Sequence, residues 1–196
     1  MQTFVATHNA GKLAELRAIF AGSPLELQSF ADYADVEETG ESYVANALLK
    51  AHSLARQLSD AGIAACVLAD DSGLEVDALQ GRPGIYSARY AGVQASWAQR
   101  RALLLREVGA TPASERSARF VAALALVRPS GEPITAVGSV DGSITTEERG
   151  DGGFGYDPVF YYPPCGCTFA ELSAHEKNAI SHRRAAADNL CARLPF

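Results

Sequence analysis

Positive charge is in short supply in this chain: 17 lysines and arginines stand against 23 acids, a formal charge of -6. A nucleic-acid polymer is therefore not expected as the main partner, because neutralising phosphates along a strand takes a basic face. Long apolar runs are also missing. No stretch of about 18 apolar residues is available to span a bilayer, so no membrane partner is expected. Met1-Gln2-Thr3-Phe4 has neither the charged start nor the apolar centre of a secretory signal, and the expected location is cytoplasmic. Four cysteines (Cys66, Cys165, Cys167, Cys191) are too few and too irregularly spaced to staple 196 residues. Cys165-Gly166-Cys167 with His175 lacks the spacing of the common structural zinc sites, so reduced thiols are expected. What the chain does have is a 47% hydrophobic composition, enough for a proper core in a single domain that can be two-lobed.

The stretch Val67-Leu68-Ala69-Asp70-Asp71-Ser72-Gly73-Leu74 joins an apolar run to two adjacent carboxylates. Ala64 to Ala69 has the pattern of a strand covered on both faces, and Ser72-Gly73 predicts its end. Ligands of open α/β sheets collect at the carboxyl ends of strands, and a buried carboxylate needs a cation or hydrogen-bond donors. Adjacent strand residues face opposite ways, so Asp70 and Asp71 are expected to have different roles. Two solvated acids in an Asx turn fit these residues equally well.

The chain opens as strand, loop and helix: Thr3 to Ala6, Thr7-His8-Asn9-Ala10-Gly11, then Lys12 to Ala21 with Leu13, Leu16, Ile19 and Phe20 on one stripe. A helix start with free N–H groups and an early lysine has the ingredients of a phosphate site. It is not a P-loop, since Ala6 replaces that motif's first glycine and Leu13 its Ser or Thr. An ordinary helix start accounts for the segment as well. Glu37 to Ser42 is an acidic turn, followed by a helix from Tyr43 to Leu58 that places Asn46 and Lys50 on one face.

Gly81 to Gly92 reads as a Gly- and Pro-rich loop, and Ser96 to Val108 as a helix with a Ser96/Gln99 capping box and a stop at Gly109. Ala118 to Val127 and Ile134 to Val140 read as strands of a hairpin, which makes the sheet mixed. Gly150 to Phe160 clusters glycines around Phe154, whose ring can stack a planar base; an ordinary turn before a strand is the alternative. Glu176 to Arg184 forms one continuous helix, or else breaks at Ser181 and brings Lys177, His182 and Arg183 together.

Thr7-His8-Asn9-Ala10-Gly11-Lys12, Glu38-Thr39-Gly40, Ala69-Asp70-Asp71-Ser72-Gly73, Pro83-Gly84-Ile85-Tyr86-Ser87-Ala88-Arg89, Gly153-Phe154-Gly155-Tyr156-Asp157-Pro158 and Ser181-His182-Arg183 occur in that order. Together they resemble the Ham1/RdgB family, the inosine/xanthosine triphosphate pyrophosphatases. The resemblance implies an α/β fold, two-lobed, with a long central mixed β-sheet flanked by helices, in one catalytic domain over 1–196. It also implies a homodimer and Mg²⁺-dependent hydrolysis of a non-standard purine nucleoside triphosphate to monophosphate and pyrophosphate.

Carried over by position, the resemblance puts the triphosphate on Thr7, His8, Asn9, Ala10, Gly11 and Lys12 and near Lys50. Glu38 and Asp71 would hold metal, Asp71 would also act on the water, and Ser72 would lie beside them. Phe154, Gly155, Tyr156 and Asp157, with Lys177, His182 and Arg183, would surround base and sugar. Asp70 is expected to bond neighbouring backbone and hold the turn. His8 replaces a smaller or amide residue common in the family, and Ala45 stands where many members carry Glu, which removes one possible outer metal ligand.

His182 or Arg183 could donate to a purine 6-oxo group, whereas the 6-amino group of adenine would leave those donors unpaired. Two other classes share some of these features. A nucleotide sensor would bind without turnover, and a phosphomonoesterase would use the Asp pair directly, although such enzymes space their carboxylates two apart along the strand.

Overall fold

The computed structural model describes residues 1–194. β1 (Gln2–Val5) runs parallel to β2 (Glu26–Ser29) on one side and to β3 (Cys66–Val76) on the other, with Phe4 opposite Val67. The sheet continues through β4 (Ser117–Val127), β5 (Ile134–Ile144), β6 (Phe160–Tyr162) and β7 (Cys167–Thr168), in the order β2-β1-β3-β4-β5-β6-β7. β5–β6 and β6–β7 pair antiparallel, so the sheet is mixed, as the hairpin signal and the resemblance both implied. The helices are α1 (Ala10–Ile19), α2 (Tyr43–Asp60), α3 (Trp97–Val108), α4 (Ala174–Ile180) and α5 (His182–Cys191).

Polar side chains start these helices where the sequence places them. Asn9 caps α1 by accepting from Lys12 N–H, and Ser42 caps α2 by accepting from Ala45 N–H. Ser96/Gln99 and Ser173/Glu176 form reciprocal capping boxes on α3 and α4. Ser181 lies between α4 and α5 with extended backbone (φ -71°, ψ 162°), so the C-terminal segment is two helices and not one.

The chain forms two compact units. The first comprises Met1–Asp71, Ala122–Gly138 and residues 182–194; the second comprises Ser72–Val121 and Ser139–Ser181. In the first unit the alternation of β3 sorts the core. Cys66 and Leu68 pack with Leu16 and Ile19 of α1 and with Ala186 and Leu190 of α5. Val67 and Ala69 pack with Ala47, Ala51 and Leu54 of α2. In the second unit, Leu74, Val76, Leu104, Phe120, Phe160 and Phe169 belong to a separate core.

Two expectations need correction. Ser72-Gly73 does not end the strand: β3 runs through it to Val76. Leu74 and Val76 are completely buried and Leu74 N–H donates to Ser87 Oγ at 2.9 Å, so packing and a captured donor outweigh the local turn preference. The Gly81 to Gly92 loop contains a short 3-10 helix over Gly84–Arg89. β2 was not anticipated, because its four residues are mostly exposed and carry no apolar alternation.

Candidate active site

The sorting of the first core extends to the two acids. Asp70 continues the face of Cys66 and Leu68, towards α1 and α5; Asp71 continues the face of Val67 and Ala69, towards α2. The side chains bear this out. Asp70 Oδ2 meets Lys12 Nζ of α1 at 3.0 Å and Arg183 Nε of α5 at 3.2 Å. Asp71 Oδ1 meets Lys50 Nζ of α2 at 2.8 Å, and its Oδ2 faces Asn46 Nδ2 at 3.4 Å.

The turn that Asp70 was expected to hold is absent, because β3 runs on past it. Asp70 lies inside a strand and pairs with two cations. Burial alone would push its carboxyl up, but Lys12 and Arg183 outweigh that and hold it well below the usual carboxylate range. Arg183 is pinned a second time, its Nη1 donating to Glu15 Oε2 at 2.8 Å. Glu15 escaped the sequence reading. The signal was present, since Glu15 follows Lys12 by one helical turn and so shares its face.

On the α2 side, Lys50 Nζ bridges Asp71 and Glu38 Oε1, both at 2.8 Å. Burial works against the ammonium, but the two carboxylates outweigh it and raise the Lys50 pKa. Burial also raises the Asp71 pKa despite Lys50 and Lys12, and Glu38 adds to the rise, so Asp71 is more readily protonated than an ordinary aspartate.

The loop before α1 is tightly organised. Thr7 Oγ1 accepts from Asn9 N–H at 3.1 Å, and Asn9 Oδ1 from Lys12 N–H at 3.0 Å. His8 is exposed and stacks on buried Tyr33, ring centroids 5.0 Å apart and planes 26° apart. Ala10 and Gly11 form the first turn of α1. Small side chains at this helix start leave its N–H groups approachable by an anion.

In the second unit, Asp157 Oδ2 accepts from Phe154 N–H at 2.8 Å and from Lys177 Nζ. Lys177 Nζ also lies 4.7 Å from the centroid of the Phe154 ring, so one buried ion pair fixes the loop and backs the aromatic face. Gly155 C=O accepts from Arg101 Nη1 at 2.9 Å. Tyr156 is buried, its ring edge-on to Trp97 and its hydroxyl donating to Ser87 C=O at 3.1 Å, which is a scaffold position. Of the four loop residues, Phe154 is the half-buried one. Ser72 is half-buried in β3, and His182 is buried at the start of α5.

No group of three or more His, Cys, Asp or Glu side chains converges on a metal position among the described residues. The donor set that does exist, Glu38 with Asp71, consists of two hard carboxylates already demanding a cation. Such a pair fits Mg²⁺, which takes its remaining ligands from water and substrate phosphates, and does not fit a four-ligand zinc cage.

Residues 3–193 match the Ham1 family. A dITP/XTP pyrophosphatase of Exiguobacterium sibiricum is 48% identical over 197 residues, covering 99% of this chain and 97% of its own. One from Geobacillus kaustophilus is 49% identical over 189 residues, covering 95% of this chain and 90% of its own. Among solved structures, a HAM1 protein from Coxiella burnetii superposes with a TM-score of 0.85 at 39% identity, and the Staphylococcus aureus Ham1 protein with 0.83 at 40%. Each covers 98% of this chain and 97% of its own.

Proposed function

Because this chain belongs to the Ham1 family, we propose that it hydrolyses non-standard purine nucleoside triphosphates (ITP, dITP, XTP) to the monophosphate and pyrophosphate. The activity would clear such nucleotides from the cytoplasmic pool before they enter DNA or RNA. The observation that carries this reading is the meeting of Glu38 and Asp71 on Lys50, a half-buried and a buried acid sharing one ammonium.

Glu38 and Asp71 would hold Mg²⁺. When bound, the ion supplies charge neutralisation at the phosphate oxygens. Asp71 would take the proton of the attacking water. Lys12, Lys50 and the Thr7–Gly11 loop receive the triphosphate, and the lysines offset the charge that develops on the leaving pyrophosphate.

Base recognition would fall to Phe154, whose ring would stack the purine, with Gly155, Tyr156, Asp157 and Lys177 shaping its surroundings. His182 and Arg183 would act as donors to a 6-oxo group. Arg183 is suited to such discrimination because Glu15 and Asp70 hold its guanidinium in one orientation. The exposed Tyr86 and Val93 offer apolar surface for the homodimer that accompanies this reading.

The test is incubation with ITP, XTP, ATP and GTP plus Mg²⁺ and identification of the first products. Pyrophosphate from ITP and XTP, with little from ATP, is expected; orthophosphate first, or equal turnover of ATP, would overturn the reading. Phe154→Ala is expected to raise KM for ITP about 5- to 150-fold, since base–aromatic stacking is worth roughly 1–3 kcal/mol. An unchanged KM would remove the ring from base binding.

A further inference from the structure

Asn46 is completely buried on α2, one turn before Lys50 and on the same face. Its Oδ1 accepts from Gly40 N–H at 2.8 Å. A backbone N–H can only donate, so this bond selects the amide oxygen and leaves the NH2 group to face Asp71 Oδ2, at 3.4 Å. The two Asp71 oxygens are thereby divided, Oδ1 to Lys50 and Oδ2 to Asn46. One side chain thus touches both segments that bear the acids: Asp71 itself, and the Glu38-Thr39-Gly40 turn that carries Glu38.

Gly40 is what allows the approach. A Cβ there would lie 2.6 Å from Asn46 Oδ1, 2.8 Å from Ala45 Cβ and 2.9 Å from Asn46 N. The turn can sit this close to α2 only without a side chain at that position. Asn46 N–H is meanwhile committed to Ser42 C=O at 3.0 Å, so the helix backbone cannot swing away to make room.

We propose that Asn46 is a positioning residue for the acid pair: it sets the plane of the Asp71 carboxylate and the distance of Glu38 from it. This inference rests on the reading of Glu38 and Asp71 as the carboxylates of a metal-assisted pyrophosphatase. Asn46 exposes no surface and its amide is engaged at both ends, so its removal should act on the rate and on the cation and leave nucleotide capture alone. Second partners of metal-binding carboxylates cost about 10- to 100-fold in affinity or activity when removed.

The experiment compares wild type with Asn46→Ala and Asn46→Asp, each assayed well below its own Tm. In Asn46→Ala, kcat for ITP should fall about 10- to 100-fold with KM within about twofold. Calorimetry of the nucleotide-free Asn46→Ala protein should show Mg²⁺ binding weakened about tenfold. Asn46→Asp keeps the acceptor for Gly40 N–H but sets a further buried carboxylate against Asp71 in place of a donor, so its Tm should fall as well and its kcat should stay low. An unchanged kcat in Asn46→Ala, or a wild-type kcat in Asn46→Asp, would reduce Asn46 to a structural role. Wild type that releases no pyrophosphate from ITP would instead remove the functional reading itself.

Discussion

Asp71→Asn is expected to lower pyrophosphate release from ITP by about 10³-fold or more, because proton acceptance and a cation-binding charge vanish together. The amide is nearly isosteric, and Lys50 keeps its bond to Glu38 at 2.8 Å, so the fold should persist. Nucleotide binding should also survive, since the Thr7–Lys12 loop is organised by its own hydrogen bonds and by the Asn9 cap. Single-turnover pyrophosphate assay and calorimetric titration with ITP separate the two effects. A rate within tenfold of wild type would exclude Asp71 from the chemistry.

The second large effect is on the fold. Gly138 on β5 faces the start of α5, and a Cβ built there would lie 2.1 Å from Ala186 N, 2.6 Å from Ala185 C and 2.6 Å from His182 C=O. All three are backbone atoms, so no rotamer change relieves the clash; the helix must move off the sheet. Gly138→Ala is expected to cost about 3 kcal/mol or more, an overpacking penalty at the high end of its range. For a chain of this size that is a fall in Tm of roughly 6–12 °C, measurable by calorimetry. Because α5 carries Arg183, a partner of Asp70, specificity for ITP over ATP should fall in the folded fraction as well. A Tm within two degrees of wild type, which is about 0.5–1 kcal/mol, would show that the helix has slack the distances deny.

How legible was this site in the sequence? The opposite facing of Asp70 and Asp71 could be read from strand alternation, and the pairing of Asn46 with Lys50 on one helix face from helical spacing. The partners could not. Lys12 is bonded to Asp70, whereas the sequence had set it beside Lys50 on the phosphate chain; nothing local to residue 12 specifies a contact 58 positions away. Arg183 likewise finds Glu15 at a separation of 168 residues. Ser72-Gly73 misled for a different reason: turn preference is a local property, and the burial of Leu74 and Val76 that overrides it is not. The helices, whose caps and stripes are local, were placed to within a few residues.

The adjacency of the two acids also bears on how the chain folds. If β3 slipped by one residue against its neighbours, every side chain would change face. Asp71 would then meet Lys12 and Arg183, and Lys50 with Glu38 would be left facing the hydroxyl of Ser72. The apolar residues 66–69 are small or medium-sized and would tolerate such an exchange far better than the charges would. In that register Lys50 loses one of its two carboxylates and keeps only Glu38, so the dipeptide that sets the charge balance of the candidate site also helps to set the alignment of the sheet.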